Sequence, residues 1–286
     1  MRGGPLRIGG IDYLNSRPLL EGLREALGPR AEIQAEIQNY VPSELARRLR
    51  AGLLDAALAP VAEYFAGPPD YRIVPGVSIS SYGAVESIRL FHRLPLGSVE
   101  RVGLDSSSMT SSLLVKLLFA ERWAAGRPGP SFSPLDPDEG LAALESSVPD
   151  YDGVLLIGDR ALGSPSPSGW QVADLGTEWT RWTGLPFVYA FWVYRGPKVA
   201  GLVEAFQRAR DIGRARIDAI VERGPLPPAM PPSEARRYLH RVLQYDLGPA
   251  EIEGLLAFRD RARARGLLPA GGGEDLRFLS ATEVRA

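Results

Sequence analysis

The sequence predicts an α/β protein with two lobes, and three observations lead to this fold class. The chain has 286 residues, beyond the size at which one hydrophobic core stays efficient, so two lobes of about 100–150 residues each are expected. Its contents of 45% hydrophobic and 23% charged residues are typical of a globular protein. Short apolar or β-branched runs alternate with segments of helical periodicity, which is typical of α/β chains with mostly parallel strands.

The first lobe is predicted to begin with a β-α-β-α-β unit. A strand over Leu6–Ile11 precedes a helix over Pro18–Leu27, which has proline in its first turn. A strand over Ala31–Ile37 follows. A helix over Ser43–Leu53 repeats leucine at helical spacing, and Asp55–Ala59 returns as a buried strand.

The same order of elements recurs further along the chain. The sequence predicts strand Arg101–Leu104, a helix with Leu113, Leu114, Leu117 and Leu118 on one face, strand Ser131–Leu135, helix Asp138–Leu144 and strand Gly153–Ile157. Arg7 matches Arg101 and Asp55 matches Asp152 at nearly equal offsets. Two copies of one supersecondary plan are therefore expected.

Three strands are interpreted as passages between the lobes. Ile73–Ser80 and Ser87–Phe91 are predicted to lead from the first lobe to the second, and Phe187–Tyr194 is predicted to lead back. The first lobe is accordingly assigned residues 1–87 plus 193–286, and the second lobe residues 88–192.

The C-terminal part of the chain is predicted to be helical. The expected helices are Leu202–Val221, Ser233–Tyr245 and Ala250–Arg263, and we expect them to close around the first lobe. The glycine run 271–273 is expected to loosen the C-terminal tail.

Charge and composition exclude several classes of function. Lys and Arg total 33 against 34 Asp and Glu, a balance that favours neither nucleic acid nor anionic lipid as a partner. The chain has no cysteine, which excludes disulfides, thiolate metal ligands and a cysteine nucleophile. Its two histidines, His92 and His240, lie far apart, so no histidine-rich metal site is expected. No motif for a cofactor occurs, so none is predicted.

The sequence also predicts where the protein works. The N-terminal residues lead into a strand and lack the apolar stretch of a secretory signal. No segment approaches the ~18 apolar residues of a transmembrane helix. We therefore expect a cytoplasmic protein that does not bind membranes.

Two loops are predicted to face each other across a crevice at the carboxyl ends of the strands. The loop Asp12–Pro18 brings an amide, a hydroxyl and a guanidinium to the start of a helix. The loop Asp105–Ser112 places six hydroxyls in eight residues before the next helix. Free amides and the helix dipole make such a turn a site for a carboxylate or phosphate. The alternative is that one serine caps the helix and the others are solvated.

Other polar residues have both a structural and a functional interpretation. Asp159 ends a buried strand and either orients a substrate hydroxyl or pairs with Arg160. Arg89 is either a carboxylate clamp or, as is commoner, a member of a surface ion pair. Residues interpreted as structural are Asp55, Asp152, His92, His240 and the aromatic segments 178–182 and 187–192.

Several segments in the right order resemble the chorismate dehydratase family of the futalosine route to menaquinone. The matching segments are Gly10–Leu19, Glu86–Phe91, Leu104–Ser111, Leu155–Leu162, Asp174–Gly176 and Trp182–Val188. They span most of residues 6–195, whereas the C-terminal helices match only in general character. His92 departs from the pattern, which has a small residue there. The sister family has a Ser-Pro-Cys-Pro-Asn-Asp core, which a chain without cysteine cannot contain.

The resemblance implies a two-lobed fold of the type II periplasmic-binding-protein class with extra C-terminal helices. It implies that chorismate loses water to give 3-[(1-carboxyvinyl)oxy]benzoate, with Asn15 and Ser87 as the catalytic residues. It is consistent with a protein that uses no cofactor or metal, acts on a small molecule and is a monomer or homodimer. The residues expected to bind the substrate are Ser106, Ser107, Ser108, Thr110, Ser111 and Asp159.

Two other functions remain open at this point. A non-catalytic module that binds small carboxylates would use the same crevice without chemistry. Another carboxylate lyase of the same fold is the second alternative.

Overall fold

A computed structural model describes residues 4–29, 31–148, 150–269 and 275–280. The predicted loosening at 271–273 lies outside the described residues. Within these ranges, ten strands form two five-stranded sheets. In chain order they are β1 (Leu6–Gly10), β2 (Ala35–Asn39), β3 (Ala56–Pro60), β4 (Arg72–Ser81), β5 (Ile88–His92), β6 (Arg101–Asp105), β7 (Ser131–Leu135), β8 (Gly153–Ile157), β9 (Gln171–Asp174) and β10 (Phe187–Tyr194).

The two sheets have matching topologies. The first has the order β2-β1-β3-β10-β4, and the second has the order β7-β6-β8-β5-β9. In each sheet the first three strands of that order are parallel, and the fourth runs antiparallel to both of its neighbours. The predicted duplication is therefore confirmed.

Strand β10 belongs entirely to the first sheet, where it pairs with β3 and β4. The expected lobe boundary at residues 192 and 193 falls inside this strand, so sheet membership moves the boundary to the turn before Phe187. Two short connections, 82–87 and 184–186, then join the lobes.

Helices cover the faces of both sheets. They are α1 (Arg17–Ala26), α2 (Pro42–Arg50), α3 (Val61–Ala66), α4 (Thr110–Leu118), α5 (Pro137–Glu145), α6 (Gly158–Gly163), α7 (Leu175–Thr183), α8 (Leu202–Ala215), α9 (Ile217–Arg223), α10 (Pro232–Arg237) and α11 (Pro249–Ala264). A 3-10 turn spans Leu14–Ser16, and π-helical turns follow α4 and α10. Helices α3, α6 and α7 and strand β9 were not predicted. No helix within the described ranges is long and apolar enough to cross a membrane.

Three predicted elements differ from the structure. The strand predicted from Ala31 begins at Ala35, where it pairs in parallel with Leu6. The helix predicted over Leu202–Val221 is two helices, because the backbone of Arg216 leaves the helical conformation. The helix predicted to reach Tyr245 ends earlier, because Leu243 is extended and residues 244 and 80 exchange two backbone hydrogen bonds of 2.9 Å.

The last helix packs on both lobes rather than around the first alone. Phe258 of α11 lies 6.2 Å from Trp179 of α7 and 5.1 Å from Phe187 of β10, measured between ring centroids. Gly254 of α11 lies against the carbonyl of Pro186. Because these aromatic rings lie where the chain returns to the first sheet, α11 covers that connection.

Candidate active site

A cavity lies between the lobes at the carboxyl ends of the parallel strands. It contains about 510 Å³ of space between atoms, including its solvent-open mouth. Both lobes line it, through Ile11, Tyr13, Asn15, Pro42, Pro60, Ile79, Ile88, Ser108, Met109, Thr110, Ser111, Ile157, Gly158, Tyr189 and Ala190. None of these lining side chains carries a charge, so the wall offers amide, hydroxyl and apolar contacts.

Asn15 is presented from the first lobe by the 3-10 turn that precedes α1. The turn is held from inside by the Ser16 hydroxyl, which donates to the carbonyl of Ile11. The side-chain amide of Asn15 makes no hydrogen bond within the described part of the chain. It is therefore available to a ligand in the cavity.

The start of α4 forms the opposite wall. Ser108, Thr110 and Ser111 line the cavity there, and the first-turn amides of a helix lack partners within the helix. The Thr110 hydroxyl accepts a hydrogen bond of 3.1 Å from the backbone amide of Ala62 in α3. Thr110 therefore also joins the second lobe to the first.

Ser106 and Ser107 belong to the same loop but not to the cavity wall. Ser106 is exposed, and its amide donates to the carbonyl of Leu135. The Ser107 amide and hydroxyl donate to the buried Asp105 carboxylate at 3.0 and 2.5 Å. Burial raises the pKa of Asp105, although these bonds and one from Ile157 oppose the rise. This pair shapes the turn that carries Ser108.

Asp159 links the lobes. Its carboxylate accepts a 2.8 Å hydrogen bond from the amide of Leu14 and lies 3.6 Å from the Arg17 guanidinium. The alternative partner, Arg160, pairs instead with Asp138 at 2.8 Å. Asp159 does not line the cavity, and its neighbour Gly158 does.

The pH dependence of stability tests the environment of Asp159. Burial raises the pKa of Asp159 above its ordinary value of 3.8, while the Leu14 amide and Arg17 partly oppose this. The folded protein therefore binds more protons than the unfolded chain between these two pKa values. We expect the free energy of unfolding of the wild type to fall relative to that of Asp159→Asn as the pH rises from about 4 to 7. Urea denaturation of both proteins at several pH values measures their free energies of unfolding. A wild-type value that rises relative to that of Asp159→Asn with increasing pH would show that the attraction of Arg17 dominates.

Ser87 lies at the connection between β4 and β5, immediately before Ile88 of the cavity wall. Its side chain is fully buried, and its hydroxyl has no hydrogen-bond partner among the residues that the structure describes. Its carbonyl accepts a 2.8 Å hydrogen bond from the amide of Gly158.

The turn before Ser87 has an unusual backbone conformation. Glu86 has a φ of 61°, in the left-handed region that non-glycine residues seldom occupy. Two carboxylate contacts hold this turn: Asp174 accepts from the Glu86 amide at 2.7 Å, and Glu86 pairs with Arg237 at 2.7 Å.

Two tyrosines line the cavity that sequence reasoning did not single out. The ring of Tyr13 covers Gly158, where a Cβ atom would lie 2.8 Å from the ring and φ is +63°. Tyr189 shares a 2.9 Å hydrogen bond with Ser81. Tyr13 lies two residues before Asn15 in the loop predicted to face the crevice, so its place at the cavity could have been predicted from the sequence. Tyr189 lay within a run interpreted as core.

The remaining candidates lie away from the cavity wall. Arg89 donates to the carbonyls of Ala161 and Ser164 rather than to a carboxylate. The other four make structural contacts: Asp55 pairs with Arg7, Asp152 accepts from the amides of Glu100 and Arg101, buried His92 contacts the carbonyl of Leu94, and His240 lies 3.4 Å from Asp218.

Comparison with known proteins identifies the family of this chain. A family model described as menaquinone biosynthesis matches residues 6–264. The chain belongs to the menaquinone biosynthesis family. Within it, the chain is 34% identical over 279 residues to the chorismate dehydratase of Thermus thermophilus, covering 90% of this chain and 94% of that protein.

Solved structures show the fold of this menaquinone biosynthesis protein. It resembles a structural-genomics target from Archaeoglobus fulgidus with a TM-score of 0.69 and 18% identity, covering 94% and 100% of the two chains. It resembles the periplasmic aliphatic sulphonate binding protein of Escherichia coli with a TM-score of 0.68 and 17% identity, covering 99% and 94%. The predicted two-lobed periplasmic-binding-protein fold is confirmed.

Proposed function

We propose that this protein is a chorismate dehydratase, which converts chorismate to 3-[(1-carboxyvinyl)oxy]benzoate and water. The observation that carries the proposal is an uncharged cavity between matched lobes, in which an amide from one lobe faces a helix start from the other. The identity to the Thermus thermophilus chorismate dehydratase over most of both chains supports the choice of substrate.

The reaction balances without an external reagent. The ring C–H bond beside the ether oxygen breaks, and its electrons delocalise through the neighbouring double bond into the ring carboxylate. The C–O bond of the adjacent carbon then breaks, and hydroxide leaves with the lost proton as water. Aromatisation of the ring drives the step, so the protein has to supply positioning and stabilisation of negative charge.

The start of α4 is suited to one of the two carboxylates of chorismate. Ser108 and Ser111 line the cavity beside the amides of the first helical turn, where the positive end of the helix dipole lies. Thr110 adds to this wall while it joins the lobes. In this proposal Ser106 and Ser107 act on the shape of the turn, and Asp159 fixes the opposite loop through Leu14.

Asn15 and Ser87 are proposed to hold the ring carboxylate or the departing hydroxyl. The free amide of Asn15 can donate to an oxygen that gains charge as the dienolate forms. Ser87 is buried next to Ile88 and does not line the cavity, so its side chain would have to turn toward the cavity to reach the substrate. No carboxylate, imidazole or amine lines the described cavity, so the side-chain carboxylate of the substrate itself is proposed to take the proton.

The proposal extends to the compartment and the oligomeric state. We propose that the protein acts in the cytoplasm as a monomer or homodimer and that it binds the small-molecule substrate. Closure of the lobes over chorismate would exclude water from the reacting carbons.

Incubation with chorismate tests the function directly. We expect the substrate to lose one water, detected by mass spectrometry, together with the ultraviolet absorbance of a substituted benzoate. Heat-denatured protein in the same buffer is the control for spontaneous decay of chorismate. Binding of chorismate without loss of water would indicate a binding module instead, and conversion only of other cyclohexadienyl carboxylates would indicate a different lyase.

A further inference from the structure

A segment of the C-terminal region lies directly behind the two proposed catalytic residues. It comprises residues 238–245, between α10 and α11, and we call it the backing segment. Its two tyrosines, Tyr238 and Tyr245, are 0% and 2% exposed. Neither tyrosine lines the cavity, and neither takes part in the proposed reaction.

Tyr245 holds the turn that carries Asn15. Its hydroxyl donates a 3.0 Å hydrogen bond to the backbone carbonyl of Asn15. On the other side of this residue, Asp159 accepts from the amide of Leu14 at 2.8 Å. The turn is therefore held at two points, at the Leu14 amide by the second lobe and at the Asn15 carbonyl by the backing segment.

The backing segment is itself anchored on the edge of the first sheet. Gln244 exchanges two backbone hydrogen bonds with Ser80 of β4, and the carbonyl of Tyr245 accepts from Ser78 at 3.0 Å. The Ser78 hydroxyl donates to the carbonyl of Asp246 at 2.7 Å. Because β4 leads into the connection that carries Ser87, β4 supports both the backing segment and Ser87.

Tyr238 faces Ser87. Both hydroxyls are buried, and neither makes a hydrogen bond of normal geometry within the described residues, although the Ser87 side chain is close enough to Tyr238 to act on its pKa as a hydrogen-bond partner. Buried hydroxyls without partners are rare in folded proteins, and a role in catalysis is one of the reasons for which they occur. Burial raises the pKa of Tyr238 well above its ordinary value, and the Ser87 hydroxyl opposes this rise. Tyr238 therefore keeps its proton, and its hydroxyl can donate a hydrogen bond.

The geometry points to the backing segment as the positioning element of the site: Tyr245 fixes the Asn15 turn, and Tyr238 orients the Ser87 hydroxyl for the bound substrate. Both tyrosines are positioning residues, because each acts through another side chain or turn. The inference rests on the proposed dehydratase function.

Removal of each hydroxyl tests the inference. We expect Tyr238→Phe and Tyr245→Phe each to lower kcat for chorismate about 10-fold while KM stays within about twofold. Adding Tyr238→Phe to Ser87→Ala should lower kcat no further than Ser87→Ala alone, and the same holds for Tyr245→Phe with Asn15→Ala. Wild-type kcat in the single variants, or losses that multiply in the double variants, overturns the inference.

Tyr194→Phe is the matched control. Tyr194 is also buried, and its hydroxyl donates to the carbonyl of Pro197 at the end of the first sheet where β3 begins, away from the cavity at the carboxyl ends of the strands. We expect this variant to keep the wild-type kcat and KM. If it loses as much activity as the other two, loss of a buried hydroxyl is the cause and the positioning role is wrong.

Hydrogen exchange provides a readout that does not depend on activity. In Tyr245→Phe, the amides of residues 14–17 should exchange faster than in the wild type, whereas in Tyr194→Phe they should not. Unchanged exchange in Tyr245→Phe overturns its part of the inference. If the wild type does not convert chorismate, the proposed function fails by itself, and the exchange result still decides whether Tyr245 holds the Asn15 turn.

Discussion

Replacing Asn15 by alanine is expected to lower kcat for chorismate by about 100-fold or more, with a much smaller change in KM. The side-chain amide of Asn15 faces the cavity and has no partner within the described chain, so its donor capacity is free for the substrate. In the proposed reaction it meets an oxygen whose negative charge grows toward the transition state. Steady-state kinetics with chorismate, followed by absorbance of the aromatic product, measures the effect.

A remote amide provides the control for this substitution. Gln171 is exposed on β9, at the edge of the second sheet. Gln171→Ala removes a similar group and should leave kcat and KM unchanged. If Asn15→Ala turns over chorismate at the wild-type rate, Asn15 is not part of the catalytic machinery and the proposed stabilisation of charge must come from elsewhere.

The duplicated fold could be predicted because its signals are local. Strands such as Gly153–Ile157 are short apolar runs, and the helix that begins at Thr110 carries leucines at helical spacing. The short helices α3 and α6 could not be predicted, because each has only six residues and begins directly at the end of a strand. The end of the helix predicted to reach Tyr245 was wrong because Gln244 makes backbone hydrogen bonds with Ser80, 164 residues earlier, in place of helical ones.

The candidate site was predictable to a similar extent. The two loops followed from the rule that ligands bind at the carboxyl ends of parallel strands, and the structure brings Asn15 and Ser111 to one cavity. Contacts between the lobes were not predictable, since the Asp159 carboxylate reaches the Leu14 amide across 145 residues. Tyr245 was hidden for the same reason, because only tertiary structure brings it to the carbonyl of Asn15.

The contact between α1 and α8 predicts the largest effect on stability. Gly213 of α8 lies against the backbone of α1, where an added Cβ would stand 1.8 Å from the carbonyl oxygen of Pro18. Gly22 makes the reciprocal approach, at 1.7 Å from the carbonyl oxygen of Ala209. These neighbours are backbone atoms of packed helices, so no side chain can rotate to make room.

Gly213→Ala should therefore lower the free energy of unfolding by about 3 kcal/mol, measured by urea denaturation. The steric cost exceeds the gain of about 1 kcal/mol that alanine brings to a helix interior. Gly129→Ala is the control, because a Cβ atom there meets nothing within 4 Å and the residue lies outside any helix or strand. We expect that control to change stability by less than about 0.5 kcal/mol.

The same substitution should also affect the site. Pro18 belongs to the first turn of α1, directly after the turn that carries Asn15, so separating α1 from α8 displaces that turn. The folded fraction of Gly213→Ala is then expected to show a lower kcat than the wild type, whereas Gly129→Ala should not. Wild-type stability in Gly213→Ala would mean that α1 and α8 separate at little cost, and wild-type kcat in its folded fraction would mean that the Asn15 turn is held independently of α1.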